Sequence, residues 1–215
     1  MRQKELLDSI KKYFARFEAQ VKISSLNNEY DINTHSENII IPILNSVYNL
    51  NLVNTNFSEG KNNEAIDLID EEKGIAIQVT STKKIDKIQK TIAKLLGSKF
   101  RSKINTLYIY ILRDKQDSYS QDAIDKVTKG EIKFNVKDNI IDASDIYHQI
   151  KGTNDLELIA KIEKLLKSQF SDIYISSNFT LSNFESFKES YRKSCLTNFS
   201  RINFFGLSVR TKLRE

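Results

Sequence analysis

The stretch from 64 to 80 constrains this chain more than any other. Glu64-Ala65-Ile66-Asp67-Leu68-Ile69-Asp70 and Gly74-Ile75-Ala76-Ile77-Gln78-Val79-Thr80 are separated only by Glu71-Glu72-Lys73. Two short runs rich in β-branched and aliphatic residues around so brief a polar break predict a β-hairpin. Period-two alternation puts Gln78 and Thr80 on one face of the second strand and Val79 on the other. Asp67, read as near the centre of the first strand, can share the face of Gln78 and Thr80.

Apolar spacing elsewhere surrounds this hairpin with helices. Leu6, Leu7, Ile10, Phe14, Phe17 and Val21 recur at helical intervals over 2–24. A turn-rich break at 27–31 precedes a second helix, expected from about Ser36 as its cap to Tyr48. Pro42 fits if the helix proper begins near Ile39 to Ile41. Residues 50–57 alternate loosely, and 83–99 reads as a long helix. Thr106 to Leu112 is an apolar run expected to be a central strand buried on both faces. A helix over 120–128 and strands over 132–136 and 140–141 follow. After Gly152 the chain turns helical, at 155–170 and 181–193, with a brief β-like Ile173-Tyr174-Ile175. The expected architecture is α/β, a mixed central sheet flanked by helices over 1–152, with a helical extension and linker over 153–215.

Composition narrows the functional classes. With 33 Lys+Arg against 28 Asp+Glu the net charge is +5, mildly basic and compatible with a polyanionic partner. Cys195 is the single cysteine, which excludes an intramolecular disulfide and a cysteine-based zinc site. The longest apolar runs, 39–41 and 108–112, are too short to cross a bilayer. The amphipathic N-terminus lacks the apolar core of a signal peptide. A cytoplasmic protein with no membrane partner is expected.

Asp67, Gln78 and Glu37, the last at the start of the second helix, offer hard oxygen ligands of the kind Mg²⁺ takes. The segment Ile66 to Thr80, an Asp on one strand followed by Gln-x-Thr on the next, resembles the PD-(D/E)XK superfamily of restriction-endonuclease-like nucleases, in members carrying Gln for the second acid. The wider set Tyr30-Asp31-Ile32-Asn33, Ser36-Glu37-Asn38, Ile41-Pro42-Ile43-Leu44-Asn45 and Gln78-Val79-Thr80-Ser81-Thr82 is similar to the SMEK domain, over about residues 5–150. That resemblance implies a restriction-endonuclease-like sheet and hydrolysis of DNA, in preference to RNA, with Mg²⁺ or Mn²⁺ in defence against phage. It implies a metal held by Glu37, Asp67, Gln78 and the Val79 carbonyl. The chain departs from the pattern at Thr80, where a lysine would stabilise charge building on phosphorus. Lys83 and Lys84, just beyond the strand, are the nearest substitutes. The catalytic set implied is therefore Glu37, Asp67, Gln78, Thr80, Lys83 and Lys84.

At about 100° per residue, Lys83, Lys87, Lys90 and Lys94 form one stripe, opposite Ile85, Ile88, Ile92, Leu95 and Leu96. A lysine row beginning beside the site could track successive phosphates. Near the C-terminus, Arg201-Ile202-Asn203-Phe204-Phe205-Gly206-Leu207-Ser208 resembles the connector before the NTPase module of some bacterial antiviral proteins, which implies a NACHT-type NTPase as a partner. A homo-oligomer is left open. The alternative to a nuclease is a catalytically inactive module of the same fold that binds nucleic acid or mediates protein assembly. Plain readings stand beside these: Asp67 and Asp70 as hairpin-edge residues, Glu37 as a first-turn acid, and the lysines as a solvated helix face. His35, His148 and Cys195 have no partners that argue chemistry.

Overall fold

The computed structural model describes residues 2–27, 29, 31–55, 66–171, 188–189 and 192–193. Contacts divide the chain into two compact units, Met1–Ser171 and Asp172–Glu215. In the second unit residues 188–189 and 192–193, part of the expected helix at 181–193, are helical. The expected strand at 173–175, Cys195 and the 201–208 connector lie outside the described residues, as do Glu64 and Ala65.

The first unit runs α1 (Arg2–Leu26), α2 (Asp31–Tyr48), β1 (Val53–Asn54), β2 (Leu68–Asp70), β3 (Ile75–Thr80), α3 (Ile85–Leu96), a 3₁₀ turn at Arg101–Lys103, β4 (Thr106–Ile111), α4 (Gln121–Thr128), α5 (Val136–Asn139), β5 (Ile140–Ile141), α6 (Ala143–Gly152) and α7 (Leu156–Phe170). Among the described residues the five strands lie in the order β1-β2-β3-β4-β5. The first three pair antiparallel, and β3, β4 and β5 run parallel, so the sheet is mixed. The hairpin register pairs Leu68 with Ile77, Ile69 with Ala76 and Asp70 with Ile75. Its turn closes through Gly74 at φ +63, a left-handed conformation that glycine adopts without steric cost. A Cβ there would sit 2.6 Å from Asn105 Nδ2 and 3.1 Å from the Lys103 carbonyl oxygen. The Gly74 carbonyl accepts from the N–H groups of Asn105 and Thr106, at 2.8 and 3.1 Å, tying the turn to the start of β4.

Each face of the sheet builds its own core. Leu68, Ile77, Val79, Tyr110 and Ile141 pack with Phe14 and Phe17 of α1, Ile40 and Leu44 of α2, Ile146 of α6 and Ile162 of α7. On the other face Ile69, Ala76, Ile109 and Ile111 meet Ile88, Ile92 and Leu95 of α3 and Ile124 of α4. Strand β4 is thus central and packed on both sides, as its continuous apolar run predicts. Truncating a buried aromatic such as Phe17 to Ala costs about 3–5 kcal/mol.

Two expectations are corrected. The segment 132–136 is not a strand, although Ile132, Phe134 and Val136 alternate and are buried. Gln121 satisfies its backbone instead, donating to the Phe134 carbonyl at 2.8 Å and accepting from the Val136 N–H at 2.9 Å. Asn135 caps α5 by accepting from the Lys137 N–H. The period-two signal reports burial, and a side chain supplies what a neighbouring strand would have. Second, α2 begins at Asp31, well before Ser36, and continues through Pro42. Ser36 is fully buried inside the helix with no hydrogen-bond partner for its Oγ, so it does not cap. The prolyl ring removes one N–H from the middle of α2 and marks no helix start.

Candidate functional site

Asp67 stands where the hairpin opens. It precedes β2 at a bend and is not at a strand centre. Its N–H donates to the Ile77 carbonyl at 3.2 Å, while its own carbonyl accepts from the Thr55 N–H on the β1 side at 2.8 Å. The backbone thus parts between two neighbours. The Val79 N–H lies past the last paired residue of β2 and would go unmet. The Asp67 carboxylate takes it, Oδ2 accepting from Val79 N at 2.7 Å and from Gln78 Nε2 at 2.5 Å. Gln78 Nε2 also lies 3.3 Å from the Val79 carbonyl oxygen. Asp67, Gln78 and Val79 are therefore one hydrogen-bonded group, with both donors on a single carboxylate oxygen.

Glu37 lies in the second turn of α2, so its role as a first-turn acid falls away. It is 5% exposed, and its Oε2 accepts from Asn54 Nδ2 at 2.8 Å. Its charge reaches Asp67. Burial pushes the Asp67 carboxyl from 3.8 up to about 7, and the Glu37 carboxylate adds to that rise. The Val79 N–H, the Lys87 ammonium and the Gln78 amide oppose it without cancelling it. The Asp67 and Glu37 carboxylates, beside an amide and a main-chain carbonyl, are a donor set suited to Mg²⁺ or Mn²⁺. Among the described residues no group of three or more His, Cys, Asp or Glu side chains is placed to hold a metal. The fit rests on two carboxylates, which is within the ordinary use of Mg²⁺.

Asp70 plays a different part. Its oxygens accept from the N–H groups of Asn51 and Lys73, at 2.8 and 3.0 Å, and these bonds hold its carboxyl below the usual range. It braces the turn.

Beyond the end of β3 opens a cleft of about 560 Å³, lined by Thr80, Ser81, Thr82, Lys83, Lys84, Lys87 and Arg113 together with Ser25, Glu29 and Ile32. Thr80 is buried, and its Oγ1 accepts from the Thr82 N–H at 3.1 Å. Lys83 does not turn toward Asp67; its Nζ pairs with Asp114 Oδ2 at 2.7 Å. It also precedes α3, whose extended N-cap residue is the exposed Lys84. The expected helix at 83–99 is thus trimmed at both ends, and only Lys87, Lys90 and Lys94 of the stripe are on it. Lys90 and Lys94 are exposed and do not line the cleft.

Sequence reasoning missed Asn54 and Arg113 and gave Lys87 only a place in the stripe. Arg113 had a readable signal, since it follows an apolar strand, and ligand sites in α/β sheets gather at the carboxyl ends of strands. Asn54, on a two-residue strand 17 positions from Glu37, had none.

No curated protein and no solved structure matches this chain. The family model of the SMEK domain matches residues 9–151, well over half of the 215, and spans Glu37, the Asp67–Gln78–Val79 group and the lysine-lined cleft. This chain belongs to the SMEK domain family.

Proposed function

We propose that this protein is a metal-dependent nuclease module that hydrolyses DNA phosphodiesters in the bacterial cytoplasm as an effector of anti-phage defence. The observation that carries the reading is the Asp67 carboxylate held by Val79 N–H and Gln78 at the mouth of the hairpin, with the buried Glu37 carboxylate acting on its charge. A buried carboxyl pushed to about 7 by its surroundings and a second acid is costly for a structural residue. A bound divalent cation would offset that cost. Glu37, Asp67, Gln78 and the Val79 carbonyl would hold Mg²⁺ or Mn²⁺, which lowers the pKa of water and neutralises phosphate charge when bound. The chain's own residues orient that set: Val79 N–H and Gln78 fix one Asp67 oxygen, and Asn54 fixes Glu37. In the hydrolysis a water oxygen bonds to phosphorus as the bond from phosphorus to one sugar oxygen breaks. The water gives up one proton, and the departing oxygen takes one up. Lys84, Lys87 and Arg113 line the cleft, and in this reading they would contact the phosphate backbone.

The test is incubation of the purified protein with plasmid and with labelled DNA and RNA oligonucleotides, in Mg²⁺, Mn²⁺ or EDTA. Metal-dependent cleavage lost in Asp67→Asn supports the reading; cleavage that persists in that variant refutes the site. Thr80 favours a second reading, a module of this fold that binds nucleic acid without cutting it. Tight binding with no turnover in either metal would establish that one.

A further inference from the structure

We propose that Lys87 replaces the strand lysine that position 80 lacks, setting its ammonium beside the phosphate under attack from the first turn of α3. This rests on the nuclease reading above. Five cations are candidates for that role, and the structure disposes of them differently. Lys83 is committed to Asp114 at 2.7 Å. Arg113 adjoins that same pair, its charge helping to hold the Asp114 carboxyl down. Lys84 is the exposed N-cap of α3. Lys90 is exposed about one turn further along the helix, roughly 5 Å beyond Lys87.

Lys87 alone joins three properties. It is half-buried, it lines the cleft with Thr80, and it lies in the first turn of the helix that follows β3. No hydrogen bond or ion pair engages its Nζ among the described residues. Helical side chains lean toward the helix N-terminus, so a lysine at the third position of α3 leans back toward the end of β3. That is the place a lysine at position 80 would fill from the strand. In the reaction Lys87 neutralises the oxygen charge that grows on phosphorus as water adds, and it neither gives nor takes the proton.

The experiment uses the full chain and a labelled duplex oligonucleotide. Steady-state cleavage is measured in Mn²⁺, and duplex affinity separately with Ca²⁺ in place of Mn²⁺. Lys87→Met is expected to lower kcat by about 100-fold or more, the loss seen on removing one positioned charge-stabilising group. Its duplex affinity should stay within about threefold, because one phosphate neutralised among several is a small part of binding. Adding Thr80→Lys to Lys87→Met should restore at least about tenfold of the lost rate, a rescue that a merely structural lysine would not permit. Lys87→Arg, which keeps charge and bulk, should fold and retain more activity than Lys87→Met. A parental kcat in Lys87→Met overturns the inference and leaves the nuclease reading standing. So does an affinity loss large enough to explain the whole effect, an absence of rescue, or a larger kcat loss in Lys83→Met or Lys84→Met. A parent protein that cuts nothing overturns both.

Discussion

Replacing Asp67 by Asn is expected to make the metal-free protein more stable, not less. Both donors that reach the side chain, Val79 N–H and Gln78 Nε2, converge on one oxygen, Oδ2. An Asn oxygen in that position accepts both, and its amide takes the place of the other carboxylate oxygen. What disappears is the charge. A carboxyl whose pKa is higher in the folded than in the unfolded chain holds its proton more tightly when folded. Stability is therefore full below about pH 4 and falls as pH rises toward 7. The gap between 3.8 and about 7, at about 1.4 kcal/mol per pKa unit, sets a ceiling near 4 kcal/mol. Solvent reaching a partly exposed side chain reduces this to about 2 kcal/mol. In a chain of this size that corresponds to a Tm gain of about 4–8 °C. Thermal melts in EDTA at about pH 8 and about pH 4 measure it. The Asn variant should melt higher at the upper pH, with the advantage shrinking at the lower. Added Mg²⁺ should raise the Tm of the parent and leave the variant unchanged, because a ligand stabilises only the state that binds it. An Asn variant less stable than the parent at about pH 8, or one whose difference ignores pH, would refute the account of Asp67 as a strained acid.

The exposed helix face separates binding from catalysis. Lys90→Glu with Lys94→Glu should weaken DNA binding and reduce the slope of log K against log salt by about 2, roughly 0.9 for each phosphate no longer neutralised. Binding isotherms at several salt concentrations read it, and an unchanged slope assigns these lysines to solubility alone. At the hairpin turn, Gly74→Ala forces a left-handed φ on a residue with a Cβ and presses it onto Asn105 Nδ2. Chemical denaturation should show a loss of about 1–3 kcal/mol; a neutral result would mean that the turn can move away from β4.

What the sequence disclosed followed from local periodicity. The hairpin of β2 and β3, the buried run at β4 and the apolar face of α3 each follow from a local pattern read in a single phase. The failures share a different cause. Residues 132–136 alternate like a strand, but whether a neighbouring strand or the Gln121 side chain meets their backbone depends on a partner thirteen or more positions away. Helix α2 starts earlier than expected because Ser36 and Pro42 carry strong local signals that the surrounding core overrides. In the site, Asp67 and Gln78 could be paired from the hairpin register alone. The choice among Lys83, Lys84 and Lys87 could not, since it turns on Asp114, 31 residues beyond Lys83. Spacing ranks lysines by nearness along the chain, whereas an ion pair across the cleft removes the nearest from contention.

Helix α7 has a consequence for how such a module can be moved between proteins. The family match ends at 151, yet the rings of Phe17 and Phe170 pack with centroids 5.3 Å apart. Arg16 donates to the Phe170 carbonyl, and Ser9 donates to Glu163. The first helix of the family segment is therefore roofed by a helix that lies outside it. A graft that ends at 151 would carry every residue of the catalytic proposal and still leave Ile159, Ile162, Leu166 and Phe170 behind, baring the apolar side of α1 to water. Recombination, whether by a genome or by an engineer, meets a seam at Ser171 that the boundaries of the chemistry do not mark.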